Sequence, residues 1–368
     1  MEMLTHLDLS GFTSIRQLAG LELRPLNVLL GANGAGKSNL IACFKLVHWM
    51  LSAPGTLQLY LGTVGGANIL LHDGARVTPQ ITAELTFAAE DTVRAYRFRL
   101  VYAAGDTLVF ADEAVRVSLV DHLPGDWVAF GAGHREAQLV ARAEQGDPTA
   151  RAIHTLLRRC MVYQFHNTAE TARVRQRWNV DDHQLLKDDA ANLAPVLLHL
   201  RERQPQHYAR IVGTIRQIAP FFADFELAPS GGTVLLQWRE RGSDMIFGAH
   251  QASDGTLRVM ALVTLLLQPT ASLPGLLILD EPELGLHPFA INIIAGLLKS
   301  AATRTQILLA TQSMTLIDYF EPDDLIVVDR PDRASTFRRL DAAQLAVWLA
   351  DYSLAELWEK NVLGGRPA

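Results

Sequence analysis

The chain has 368 residues, 33 Lys plus Arg against 39 Asp plus Glu, and a formal net charge of −6. This length leads to an expectation of two or three lobes, and 49% hydrophobic with 20% charged residues excludes general disorder. The acidic balance excludes a strongly basic, free-standing nucleic-acid binder and leaves only a local basic patch for such a role. Cys43 and Cys160 are too far apart in sequence to form a metal-ligand motif, and two cysteines make no disulfide scaffold. The opening residues lack a basic region followed by an apolar run, so no secretory signal is expected and the expected compartment is the cytoplasm. Residues 259–279 are uncharged, but Gln268, Pro269 and Pro274 interrupt them, and no membrane span is expected.

In chain order, Thr5 to Leu9 alternates like a strand, Gly11 to Ser14 reads as a bend, and Leu26 to Leu30 is a short apolar run of buried-strand type. From Lys37 onward Leu40, Ile41, Phe44, Leu46, Val47 and Met50 recur at helical spacing. Residues 80–130 alternate as an antiparallel meander, with turns at Gly105-Asp106 and Pro124-Gly125. Helical spacing governs Ala150 to Arg159 and Leu193 to Ile218. Strands are then predicted at Phe225 to Ala228 and Val234 to Trp238, a helix at Thr256 to Leu267, a buried strand at Leu276 to Leu279, a helix at Phe289 to Lys299 and a strand at Gln306 to Ala310. Strands alternating with helices over this half predict a mostly parallel sheet.

Gly31-Ala32-Asn33-Gly34-Ala35-Gly36-Lys37-Ser38 fits G-x-x-x-x-G-K-[ST] between a predicted strand and a predicted helix. Glycines let the backbone wrap so that N–H groups point at phosphate oxygens. Lys37 then reaches the β- and γ-phosphates, and Ser38 supplies a magnesium ligand. Leu276 to Pro282 (LLILDEP) is an apolar strand delivering two acids at its carboxyl end, where open parallel sheets place ligands. Asp280 would hold magnesium, and Glu281 would orient or deprotonate the attacking water. Read alone, the Asp-Glu pair also fits a helix start. Glu283 is the second choice as base because of its offset from the strand.

Gly31 to Asn39, Asp280 to Pro288 (DEPELGLHP) and Ala310 to Ser313 (ATQS) together resemble the ABC-type ATPase heads of the RecF, SMC and OLD-like group. The pattern is most similar to the short RecF-like AAA-family ATPases of bacteria. The likeness extends through GFTSIR, Val162 to His166, Leu185 to Leu200 and Tyr352 to Gly365, so it covers nearly the whole chain. It implies an α/β P-loop NTPase of ABC type, with a mixed sheet, an antiparallel β subdomain and a helical insertion lobe. The resulting division is an N-terminal ATPase lobe over 1–134, an Arg-rich helical insertion over 135–222 and a C-terminal ATPase lobe over 223–368. Gly31, Asn33, Gly34, Ala35, Gly36, Lys37, Ser38 and Asn39 would bind ATP.

The resemblance also places a signature loop, which closes over the partner subunit's γ-phosphate, at Ser253-Asp254-Gly255-Thr256. Ser253 and Gly255 are its candidate contacts. Asp254 and Thr256 depart from the usual LSGGQ pattern, and Ser253 also fits an ordinary helix cap. Gln312 occupies the switch position where many such heads carry histidine; it can hydrogen-bond a γ-phosphate but cannot titrate near neutral pH. His287 reads as a packing or interface residue. The chain continues about 85 residues past the DEP motif, little room for an appended nuclease.

Residues 151–216 hold ten arginines and one lysine against six acids, a local balance of +5. Arg173, Arg175 and Arg177 beside Trp178 are the sharpest cluster, a candidate DNA contact if extended and a solvated face if not. No histidine pair has ligand spacing, so the expected cofactors are ATP and Mg2+ alone. The expected function is an ATP-hydrolysing head that forms an ATP-dependent homodimer, acts on DNA in repair or phage defence and serves a separate effector protein, with no membrane partner. The alternative is a nucleotide-gated DNA clamp or sensor with little turnover. A transporter motor and a small-molecule kinase fit the motifs less well.

Overall fold

The computed structural model describes residues 2–120 and 123–365. The first strands are β1 (Met3–Phe12), β2 (Ile15–Glu22) and β3 (Leu26–Leu30), followed by α1 (Lys37–Met50) and α2 (Thr56–Val64). Next come β4 (Gln80–Ala88), β5 (Thr92–Ala103), β6 (Thr107–Leu119), β7 (Val128–Ala129), α3 (Gln138–Glu144), α4 (Pro148–Arg158), β8 (Cys160–Tyr163) and β9 (Trp178–Asn179). Helices α5 (Leu193–Arg203) and α6 (Pro205–Ile218) precede β10 (Phe222–Phe225), β11 (Thr233–Val234), β12 (Gln237–Glu240) and β13 (Ile246–Gly248). The chain continues through α7 (Asp254–Leu267), β14 (Leu276–Asp280), α8 (Pro288–Ala302), β15 (Gln306–Thr311) and α9 (Met314–Ile317). It closes with β16 (Leu325–Asp329), β17 (Thr336–Arg339), α10 (Ala342–Leu349) and α11 (Leu354–Glu359).

Two compact units partition the chain, one of Met1–Val162, Pro274–Ile278 and Glu321–Ala368, the other of Tyr163–Leu273 and Leu279–Phe320. In the first unit an antiparallel sheet runs β2-β1-β4-β5-β6-β7. Its alternation is the one the sequence predicts: Ile81, Ala83, Leu85 and Phe87 are buried while their neighbours on β4 are not. The register pairs Leu85 with Leu7 and with Tyr96, so one face stacks apolar side chains across strands. A second, mixed set of strands lies in this unit, with β16 parallel to β3 (Ile326 opposite Leu29) and antiparallel to β17 (Val328 opposite Phe337). All five residues of β3 are buried, as a strand covered on both faces requires.

The meander also contains a carboxylate with no exposure at all, Glu113. It accepts from the Tyr96 hydroxyl at 2.9 Å, His134 Nε2 at 2.8 Å, and the backbone N–H groups of Gln138 and Leu139 at 2.8 and 3.0 Å. Four donors saturate the two oxygens, and the two backbone donors belong to the open first turn of α3.

In the second unit, the helical stretch expected over Leu193 to Ile218 is divided into α5 and α6. Pro205 has no N–H and fits the first position of a new helix, so the break falls at Gln204. The strand expected at Phe225 to Ala228 lies instead at β10, and the one expected over Val234 to Trp238 is split into β11 and β12. Sheets β10-β12-β13 and β11-β9 complete the unit, so β9 places a strand inside the Arg-rich segment. Helix α7 buries ten of its fourteen residues, which explains its uncharged, mostly apolar run from Val259 to Leu267 without a membrane. Among the described residues no helix is long and apolar enough to cross a bilayer.

Candidate active site

The glycine-rich loop, residues 31–38, belongs to the first unit and is built by close approach. A Cβ on Gly36 (φ 115°) would sit 2.0 Å from Ser335 Oγ, and one on Gly31 would sit 2.4 Å from the Val328 carbonyl oxygen. Only glycine fits either place. Beneath the loop runs a relay of hydrogen bonds. Asn39 Nδ2 donates to Ser14 Oγ at 2.6 Å, Ser14 and Ser335 hydroxyls meet at 2.6 Å, and Ser335 Oγ donates to the Ala35 carbonyl at 2.6 Å. Asn39 therefore supports the loop from below. The loop is further held by Ala32 N–H on the Gly365 carbonyl at 2.8 Å and by Arg330 on the Gly34 carbonyl at 3.3 Å.

Ala35, Gly36 and Lys37 are buried, whereas Asn33, Gly34 and Ser38 are exposed on the rim. The Lys37 ammonium folds over the loop and donates to the carbonyls of Gly31 at 2.6 Å and Ala32 at 3.0 Å. Helix α1 starts at this lysine with no side-chain cap and no acid in its first turn, so its partial positive end faces the loop.

The acids belong to the second unit. Asp280 ends β14 at 8% exposure; Gln164 Nε2 donates to its Oδ2 at 3.1 Å, and His166 Nε2 donates to its carbonyl at 2.8 Å. These two partners were not assigned a role from sequence, because only the folded chain brings residues 164 and 166 to residue 280. The signal available was the VYQFH segment, whose polar residues alternate with aromatic ones. Glu281 is half-exposed and adopts a left-handed backbone, φ 41°, with its N–H on the Ala310 carbonyl at 2.8 Å. A non-glycine residue in this region is strained, and such strain concentrates at functional sites. Glu283 is buried and accepts from the Thr311 hydroxyl. Gln312, the residue after Thr311, is half-buried.

Ser253 is exposed and caps α7, accepting from Thr256 N–H at 3.1 Å. A Cβ on Gly255 would lie 3.0 Å from the Gly285 carbonyl, so this glycine lets the start of α7 approach the loop that follows the acids. Arg258, one turn on, donates to the carbonyls of Phe165 at 3.3 Å, His166 at 3.2 Å and Leu284 at 2.8 Å. One guanidinium therefore joins α7 both to the segment holding Asp280 and to the acid loop. His287 caps α8, its Nδ1 accepting from Phe289 N–H at 3.2 Å.

The arginine cluster does not form one face. Residues 173–175 make a 3-10 turn rather than an extended segment, which turns alternate side chains apart. Arg175 is 6% exposed; it donates to the Thr168 carbonyl through Nε at 3.0 Å and Nη2 at 2.7 Å, and to the Ala249 carbonyl, and it lies 3.4 Å from Asp254. Its donors are directed into the unit, so it is no surface contact for DNA. Arg173 and Arg177 are exposed; Arg173 pairs with Asp189 at 3.1 Å and stacks 4.8 Å over the Trp178 ring.

Strand, glycine loop and helix in the first unit, and two acids following a buried apolar strand, belong to a mixed α/β fold of the ABC-type P-loop kind that SMC heads also have. Residues 162–318 match the family described as AAA domain, putative AbiEii toxin, Type IV TA system. That span includes the acids, the loop at Ser253 and Gln312. Among solved structures, the chain is similar to an SMC head bound to the C-winged helix domain of ScpA, at 13% identity over 94% of this chain and 99% of that one, TM-score 0.62. It is also similar to an SMC head with an extended coiled coil, bound to the C-terminal domain of ScpA derived from Pyrococcus furiosus, at 12% identity over 95% of this chain and 99% of that one, TM-score 0.53. No curated protein matches the sequence.

Proposed function

We propose that the protein binds magnesium-ATP, closes head to head on a second copy and hydrolyses the nucleotide to reopen. The observation carrying this reading is Glu281, a half-exposed carboxylate held in strained backbone directly after the buried strand that ends in Asp280. Gly31, Asn33, Gly34, Ala35, Gly36, Lys37 and Ser38 would hold the phosphates. The Lys37 ammonium would exchange loop carbonyls for phosphate oxygens.

Ser38 and Asp280 supply a hydroxyl and a carboxylate, the hard oxygen donors that magnesium prefers. Magnesium held by such donors would neutralise phosphate charge. Glu281 accepts a proton from, or orients, the attacking water, and Gln312 donates to the γ-phosphate. Ser253 and Gly255 face the partner subunit's nucleotide. Asp254, an acid where a phosphate must approach, lies 3.4 Å from Arg175, and its side chain is 63% exposed to water. DNA would contact the exposed Arg173 and Arg177, in repair or phage defence within the cytoplasm, with a separate effector protein downstream.

The test is steady-state phosphate release with and without DNA, together with the solution mass of Glu281→Gln with and without magnesium-ATP. Turnover that Glu281→Gln abolishes, and a doubled mass that Ser253→Arg prevents, are the expected results. Release no greater than blank supports the clamp. A monomeric mass with ATP bound overturns the head-to-head assignment.

A further inference from the structure

Glu281 and Gln312 lie on separate segments, 31 positions apart, yet a single buried hydroxyl is bonded to a close chain neighbour of each, Glu283 and Ser313. Thr311 Oγ1 donates to Glu283 Oε1 and accepts the Ser313 N–H at 2.9 Å. The first bond ties β15 to the loop carrying Glu281; the second fixes the backbone on the far side of Gln312. Ser313 is itself held, its hydroxyl capping α9 through Leu316 N–H at 3.2 Å.

Glu281 needs such an anchor. Its left-handed conformation persists only where neighbouring groups fix the chain on both sides. On the near side, its own N–H is bonded to the Ala310 carbonyl at 2.8 Å. On the far side, the fixed point is Glu283, two residues on. Between and beyond them the turn is closed by Leu284 N–H on the Glu281 carbonyl at 3.1 Å and Leu286 N–H on the Glu283 carbonyl at 3.0 Å. Both anchors come from consecutive residues, Ala310 and Thr311, at the end of one strand. Thr311 has no exposure and Glu283 has 8%, so the bond between hydroxyl and carboxylate is shielded from water.

We propose that Thr311 and Glu283 are positioning residues: a latch that sets the geometry of Glu281 and Gln312 together, so that the water-orienting acid and the phosphate-sensing amide move as one. This rests on the roles given to those two residues above. It assigns Glu283 a different task from Glu281. A buried carboxylate engaged by a threonine hydroxyl holds the loop, and the half-exposed carboxylate serves the water.

The experiment compares wild type with Thr311→Val, Thr311→Ser, Glu283→Gln and Glu281→Gln in phosphate release over a range of ATP concentrations. Valine keeps the threonine shape and removes both bonds, serine keeps them, and the glutamine amide oxygen still accepts from Thr311. A misplacement of the reacting groups without loss of binding should lower kcat of Thr311→Val about ten- to a hundredfold, with KM changed less than about twofold. Thr311→Ser should restore kcat to within about threefold, and Glu283→Gln should retain far more activity than Glu281→Gln. A Thr311→Val enzyme with wild-type kcat overturns the latch, as does a Glu283→Gln enzyme as inactive as Glu281→Gln, which would make Glu283 the base.

If wild type releases no phosphate, the hydrolysis reading fails, and the latch is decided by amide hydrogen exchange. Thr311→Val, but not Thr311→Ser, should then speed exchange at the Glu281 and Ser313 amides. Unchanged protection there refutes the latch.

Discussion

Arg175→Met separates the two readings of the arginine cluster. Methionine preserves the apolar stem and fills much of the same volume, but removes every guanidinium donor. The Thr168 carbonyl loses its two bonds from this side chain and the Ala249 carbonyl loses one. Bonds from a charged donor contribute about 1.5–3 kcal/mol each, so stranding two buried carbonyls costs roughly 3–5 kcal/mol. Asp254 adds little, because its side chain is 63% exposed and water replaces the lost partner. Packing of the methionine returns part of this, which leaves a net loss of about 3–4 kcal/mol. With a urea dependence of about 2–3 kcal/mol per molar, the midpoint for this unit should fall by about 1–2 M in tryptophan-monitored unfolding. Arg177→Met, at an exposed position, should stay within about 0.5 kcal/mol of wild type. Equal midpoints for the two variants would refute the argument that Arg175 is an internal brace.

Three further outcomes follow from the geometry. Glu113→Gln turns one oxygen into a donor facing donors, so about two of the four bonds are lost; urea unfolding should show a destabilisation of about 2–4 kcal/mol, and Glu113→Leu more. Glu281→Gly relieves a left-handed φ of 41° and should raise the stability of its unit by about 1 kcal/mol in thermal unfolding while abolishing phosphate release. Burial pushes the thiols of Cys43 and Cys160 up to about 12 from 9.0. A raised folded-state value favours the protonated fold, so that contribution is complete below pH 9 and is lost as pH rises towards 12. Alkaline unfolding should shift to higher pH in Cys43→Ala, provided the cavity cost is measured separately at pH 7.

How much of this was legible in the sequence depended on how local the cause was. Strand β3, the glycine loop and α1 are specified by adjacent residues, and the predicted strand and helix starts coincide with the observed ones. The same holds for β14, where four apolar residues and an acid need no distant partner to be recognised. Helical spacing over Leu193 to Ile218 was read correctly as helix. Yet spacing does not register that Pro205 forces a new start, since both halves keep an apolar face. The burial of Arg175 was not legible, because it depends on Thr168 and Ala249 arriving at the same place. Gln164 and His166 were passed over for the same reason, and so was the bond by which Asn39 reaches Ser14 beneath the loop.

The relay beneath the phosphate loop has a consequence for the order in which the protein becomes competent. Ser14 and Ser335 are 321 positions apart, and the carbonyl that packs against Gly31 belongs to Val328. At about 5–20 residues per second, the ribosome takes roughly 15–60 s to pass from the GANGAGKS segment to the serine that supports it. Throughout that interval the nascent chain carries the nucleotide motif without its floor, and β3 lacks its parallel neighbour β16. Long-range pairings of this kind close late. A ligand seated on that loop, as proposed for ATP, would therefore meet its full site only once synthesis has passed Ser335, and its binding energy would stabilise only such molecules.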